Sequence, residues 1–213
     1  MDGKTRILKI LEVLRDEYSD APRTYLNFRD PYELLIATIL SAHAADASVN
    51  RVTPALFDKY PTPEKLASAS QEDVINIIGP VGTYNVKSKY ILTAARQITE
   101  TFGGKVPETL EDLITLQGVS RKTANVVLST AFNKHEGIVV DTHIMRVSVR
   151  LGLSMHTKKP AKIERDLMAL LPQELWGEYA RLVSALGRRT CKARKPLCSE
   201  CPVRNLCPSA NSP

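Results

Sequence analysis

All four cysteines of the chain, Cys191, Cys198, Cys201 and Cys207, fall in one C-x6-C-x2-C-x5-C segment. Four thiols at such close spacing signal a metal site. A disulfide framework suits small secreted chains, and the N-terminus, Met1-Asp2-Gly3-Lys4-Thr5-Arg6, lacks the apolar core of a secretory leader. Four-thiolate zinc sites use two close cysteine pairs. Here only Cys198 and Cys201 form such a pair. An iron–sulfur cubane spreads its thiolates over a larger object and tolerates the wider flanking gaps, so the spacing favours a cluster over zinc. Lys192, Arg194, Lys195 and Arg204 surround the cysteines. Those cations can offset the cluster's negative charge or meet phosphates.

A second constellation is Leu116-Gln117-Gly118-Val119-Ser120-Arg121-Lys122-Thr123-Ala124. Gly118 permits a sharp turn, and Val119 can tuck that turn into a core. The next helix then opens with its N–H groups and positive dipole end outward, a phosphate site that reads no sequence. This is a helix-hairpin-helix reading. An ordinary corner between two helices fits Leu-x-Gly-Val about as well. Lys122 falls in the first helical turn, where the dipole disfavours its charged form. A neutral lysine is a nucleophile capable of a Schiff base; a solvent-facing lysine is the plainer alternative. Val139-Val140-Asp141-Thr142-His143 brings Asp141 to the start of another helix. There it can cap, or stabilise a developing cation and manage protons for an amine.

These groups need rigid carriers, and the hydrophobic periodicity supplies helices throughout. Ile7, Ile10, Leu11, Leu14 and Tyr18 share one helical face. Pro31 opens a second helix. Further helices are expected over 50–60, 71–78, 84–101, 110–115, 121–132, 142–151, 161–171 and 174–186. No segment alternates as a strand does, so the expected fold is all-α. Two domains are expected. One spans 26–132 and contains the hairpin at about 108–132. The other joins 1–25 to 133–213 and ends in the cysteine loop. The composition, 213 residues with 43% hydrophobic and 24% charged, is that of a globular chain. No apolar stretch approaches the length of a membrane span, and no membrane association is expected. The net charge is +6 with pI near 9.2. From Leu186 onward stand six basic residues and one acid, which leaves the remainder nearly neutral. A basic segment so concentrated points to a polyanion.

These residues together resemble the endonuclease III family, the helix-hairpin-helix DNA glycosylases of base-excision repair. The resemblance runs from about residue 26 to 207. It rests on Leu40-Ser41-Ala42-His43-Ala44-Ala45-Asp46, Leu116 to Leu128, Val140-Asp141-Thr142-His143 and the cysteine loop, in that order. It implies a two-domain all-α fold, a [4Fe–4S] cluster on the four cysteines, Lys122 as the amine and Asp141 as the catalytic carboxylate. The implied partner is double-stranded DNA with a damaged base or abasic site, bound by a cytoplasmic, nucleoid-associated monomer (nuclear if eukaryotic). The implied DNA contacts are Gly118, Val119, Ser120, Arg121, His43, Val81, Thr83, Lys192 and Arg194. The implied reaction removes a base, an oxidised pyrimidine first, and cuts the strand by β-elimination.

The chain departs from the family pattern at several positions. Ser120 stands where Gly is common, and a positive φ there would strain it by about 1 kcal/mol. His43 and Ala45 stand where Gln and Thr are frequent, and Thr83 where a larger apolar residue is usual. The alternative function is a monofunctional mismatch glycosylase of the same superfamily, acting on T or U opposite G; such enzymes generally lack an amine at Lys122. A non-catalytic DNA-binding or redox protein would explain the tail and hairpin but not Lys122 and Asp141.

Overall fold

The computed structural model describes residues 2–211; these form α-helices and short 3-10 turns, with no strand among them. The chain divides into two compact units, Met1–Arg23 with His135–Pro213, and Thr24–Lys134. None of the described helices is long and apolar enough to cross a membrane.

The first unit takes its helices from both ends of the chain. α1 (Gly3–Glu17) starts at Asp2, whose side chain accepts from Thr5 N. Ile7, Ile10, Leu11 and Leu14 are fully buried, and Tyr18 nearly so. This face packs on two C-terminal helices of the same unit, α10 (Pro160–Leu170) and α11 (Trp176–Arg189). Each such side chain contributes about 1.5–3 kcal/mol by leaving water. The bidentate Arg15–Glu178 pair at 2.8 Å is partly exposed and adds at most about 1 kcal/mol. Burial, not the ion pair, docks α1. The remaining helix, α9 (Thr142–Arg150), crosses α11 at Gly187. A Cβ there would sit 2.8 Å from His143 Cβ, so the crossing requires glycine.

The second unit is built around α2 (Pro31–Ser41), which is buried from Tyr32 to Leu40. A helix apolar on every side belongs inside a core. Its one buried acid, Glu33, accepts from the backbone N–H of Arg29 at 2.7 Å and from the Arg29 guanidinium at 2.6 Å. Around it lie α3 (Asp46–Lys59), α4 (Pro63–Ala67), α5 (Gln71–Ile78) and α6 (Tyr84–Phe102). The hairpin follows as α7 (Leu110–Leu113) and α8 (Arg121–Ala131). Three helices differ from the sequence reading. α3 begins four residues early, at Asp46, and carries Pro54 in its interior. α4, only five residues long, is too short to show a period. α11 is preceded by a 3-10 turn over Gln173–Leu175 and runs on to Arg189.

Candidate active site and cysteine loop

The hairpin is anchored from beneath by Leu113, Leu116 and Val119, all buried. Gly118 makes the turn with φ +82°, and a Cβ there would meet Tyr90 Cβ at 2.9 Å. Both backbone and space therefore demand glycine. From α6, Gln97 clamps the turn twice: its Nε2 donates to Thr115 O at 3.0 Å, and its Oε1 accepts from Gln117 N at 2.8 Å. Sequence reasoning missed Gln97, because nothing local ties it to a turn 20 residues away.

Ser120 corrects an expectation. Its φ is −85° and ψ 165°, ordinary extended backbone, so no strain is stored there. Its hydroxyl caps α8 instead, accepting from Thr123 N at 3.2 Å. Lys122 and Arg121 lie exposed in the first turn of that helix. Val119 is 8% exposed, and its N–H donates to Leu116 O at 3.1 Å. Its side chain supports the hairpin and is not part of a surface contact.

Two loops of the same unit carry three more of the proposed contacts. His43, between α2 and α3, has φ +54°, and Thr83, just before α6, has φ +59°; both are exposed. Left-handed backbone at non-glycine residues costs on the order of 1 kcal/mol each and gathers at functional sites. Val81 is a correction: it is fully buried in the core of this unit, so its side chain is absent from the surface. The loop turns Val81 inward and Thr83 outward. Lys87, one turn into α6, is 3% exposed with no partner for its Nζ, and burial pushes its pKa down.

Asp141 lies in the first unit and is half-buried at the N-terminus of α9. One carboxylate oxygen accepts from Ile144 N at 2.7 Å, and the other from Ser184 Oγ at 3.3 Å. Both the capping role and a fixed carboxylate orientation follow from these two bonds.

The cysteine loop leaves α11 at Thr190 and winds through short 3-10 turns over Cys198–Glu200 and Arg204–Leu206. All four cysteines are free thiols, which removes the disulfide alternative. They line one cavity of about 60 Å³, otherwise walled mainly by apolar groups such as Val147, Leu151, Leu186 and Val203. Burial raises the thiol pKa of Cys201 and Cys207. A metal that displaces those protons offsets that penalty. Among the described residues no three Cys, His, Asp or Glu side chains converge on a single ion. A shared cavity bounded by four spread thiols suits a larger multi-iron object.

Two arginines one turn apart on α9 hold the loop's first cysteine. Arg146 Nε and Nη2 donate to Cys191 O at 3.1 and 2.9 Å, and Nη2 also to Gly187 O at 2.8 Å. Arg150 reaches Cys191 Sγ and the next two carbonyls. Sequence reasoning missed both arginines, because nothing local ties them to a loop more than 40 residues away. Lys192 and Arg194 project from the loop exposed. Arg189, by contrast, is engaged structurally, paired with Asp20 at 2.7 Å.

Comparison with known proteins then assigns the chain. The model of the HhH-GPD superfamily of base excision DNA repair proteins matches residues 36–173, and the iron–sulfur binding domain of endonuclease III matches 191–207. Endonuclease III of Synechocystis is 47% identical over 98% of this chain and 94% of its own length. The Escherichia coli K12 protein is 42% identical over 96% of each. The chain belongs to the endonuclease III family. A solved endonuclease III–DNA covalent intermediate, trapped as an estranged-adenine complex, superposes with TM-score 0.92 at 38% identity, covering 99% of this chain and 98% of that one. A thermostable thymine-DNA glycosylase shares the fold at TM-score 0.86 and 22% identity.

As a member of the endonuclease III family this chain is a base-excision DNA glycosylase with AP lyase activity, and its cofactor is an iron–sulfur cluster in the C-terminal loop. The four thiols and their cavity fit that group. The purified protein is therefore expected to be yellow-brown, from sulfur-to-iron charge transfer, with iron and inorganic sulfide in equal amounts. Colourless protein containing one zinc per chain, after expression with ample iron, would reverse this assignment.

Proposed function

We propose that the enzyme binds duplex DNA containing an oxidised pyrimidine or an abasic site, excises the base and cuts the strand 3′ to the lesion. The observation that carries this reading is Lys122. It is an exposed amine in the first turn of α8, held by a glycine turn that Gln97 and Tyr90 fix from behind. The N-terminus of α8 supports a phosphate beside the amine.

In this reading the damaged nucleotide is turned out of the duplex, as chemistry on a stacked base requires. Lys122 Nζ bonds to the sugar C1′ as the C1′–N bond to the base breaks, and the departing base takes up a proton equivalent to the one that the amine gives up through Asp141. Asp141, fixed by Ile144 N and Ser184, stabilises cationic character at C1′ and accepts the proton that the amine loses. The sugar ring opens to a Schiff base. Loss of a C2′ proton then expels the 3′ phosphate by β-elimination, and water releases the product from Lys122. Cys191, Cys198, Cys201 and Cys207 hold a [4Fe–4S] cluster that folds the loop and takes no part in these steps. Lys192 and Arg194 on the loop, with Gly118, Ser120 and Arg121 on the hairpin, meet the phosphates. His43 and Thr83 address the gap left by the extruded nucleotide and its partner base. The enzyme acts as a monomer in the compartment that holds the chromosome.

Borohydride trapping on duplexes bearing single lesions tests the reading. A covalent, reduction-dependent adduct is expected with oxidised pyrimidines and abasic sites, and not with a T opposite G. Base release from the mismatch without any trapped adduct would favour the monofunctional alternative.

A further inference from the structure

We propose that Arg150 is a positioning residue for the iron–sulfur cluster, donating a hydrogen bond to the sulfur of Cys191 and thereby setting cluster potential and retention. The proposal rests on the reading of the cysteine loop as the cluster's seat. Arg150 is the last residue of α9, and its guanidinium makes three contacts with the loop. Nη1 lies 3.3 Å from Cys191 Sγ and 2.7 Å from Lys192 O, and Nη2 lies 3.1 Å from Ala193 O. A flat fork with fixed donors can span a sulfur and two successive carbonyls together; an ammonium cannot. The residue also touches the other end of the loop, where Cys207 Sγ donates to Arg150 O at 3.4 Å.

Ligation changes these two sulfur contacts in opposite ways. A thiolate has no hydrogen, so the bond from Cys207 to Arg150 O ends when Cys207 binds iron. The bond from Arg150 to Cys191 survives and strengthens, because a cation now donates to an anionic sulfur. One more electron on the cluster increases the negative charge on its sulfurs. A cationic donor therefore stabilises the reduced form more than the oxidised form and raises the reduction potential. The same contact, with the two carbonyl bonds, resists opening of the loop and so slows loss of iron.

Iron and sulfide analysis of the purified wild-type protein comes first; a cluster-free protein would refute the underlying loop reading, separately from this proposal. Given a loaded protein, three variants are compared by film voltammetry, by resonance Raman of the iron–thiolate stretches and by the rate of bleaching under an iron chelator. Arg150→Gln is expected to shift the potential to more negative values, to alter the iron–thiolate stretches and to lose cluster about tenfold faster, the factor one charge-assisted hydrogen bond carries. Arg150→Lys keeps the charge without the fork and is expected to recover only part of the shift. Arg194→Gln removes an equal charge from the same loop at an exposed position and is expected to leave all three readouts near wild type. If Arg150→Gln gives no loaded protein, Arg150→Lys carries the same comparison. Wild-type potential and stretches in the Arg150 variants, or equal shifts in Arg194→Gln, would overturn the proposal.

Discussion

Lys122→Gln is expected to lower strand cleavage at a lesion or abasic site by about a thousandfold or more, the scale on which loss of a nucleophile acts. Duplex affinity is expected to stay within a few-fold of wild type. The substitution removes the amine and little else. Lys122 is exposed, so no packing is lost. Gln sustains a helix nearly as well as Lys. The Ser120 cap, the Gly118 turn and the Gln97 clamp that shape the hairpin are all untouched. Affinity for a polyanion is distributed over many contacts, and one cation accounts for at most one released counterion. Single-turnover cleavage of an abasic duplex and fluorescence anisotropy with the same duplex separate the two effects. Near-wild-type cleavage would move the amine elsewhere; a large loss of affinity would make Lys122 a phosphate contact.

What was legible in the sequence, and what was not, divides along a physical line. The cysteine loop could be read because its four thiols are close in sequence as well as in space. Gly118 could be read because a tight turn restricts residue type. The face of α1 could be read because a single helix period carries it. Val81 and Thr83 could not be told apart. They are two residues apart in an irregular loop, and only the packed core decides that Val81 turns in. The backbone at Ser120 could not be read for a related reason: a position where glycine is tolerated need not be left-handed, and here an extended serine supplies a cap that glycine lacks. Arg150 and Cys191 are 41 residues apart, and nothing in either neighbourhood announces the contact. Long-range side-chain bonds of this kind fix the loop yet leave no periodic trace.

Asp141 allows its two roles to be separated by substitution, because stability and rate draw on different atoms. Its Oδ1 caps α9 through Ile144 N, and its negative charge is what the chemistry uses. Asp141→Asn retains an oxygen for the cap, and Asn and Asp are comparable N-cap residues. The Ser184 hydroxyl, which now donates to Oδ2, can rotate to accept from the new amide. Loss of charge at the positive end of α9 costs about 0.5 kcal/mol through the dipole. Asp141→Asn is therefore expected to melt within a few degrees of wild type. Its cleavage rate is expected to fall about a hundredfold or more, as when one electrostatic stabiliser of a transition state is removed. Asp141→Ala forfeits the cap as well, at about 1 kcal/mol, so it should melt lower than Asn and cleave no faster. Thermal melts and single-turnover rates on one abasic duplex measure both. If the two quantities fell together, with Asn near wild type in each and Ala low in each, Asp141 would be a helix cap and the carboxylate of the reaction would have to be sought elsewhere.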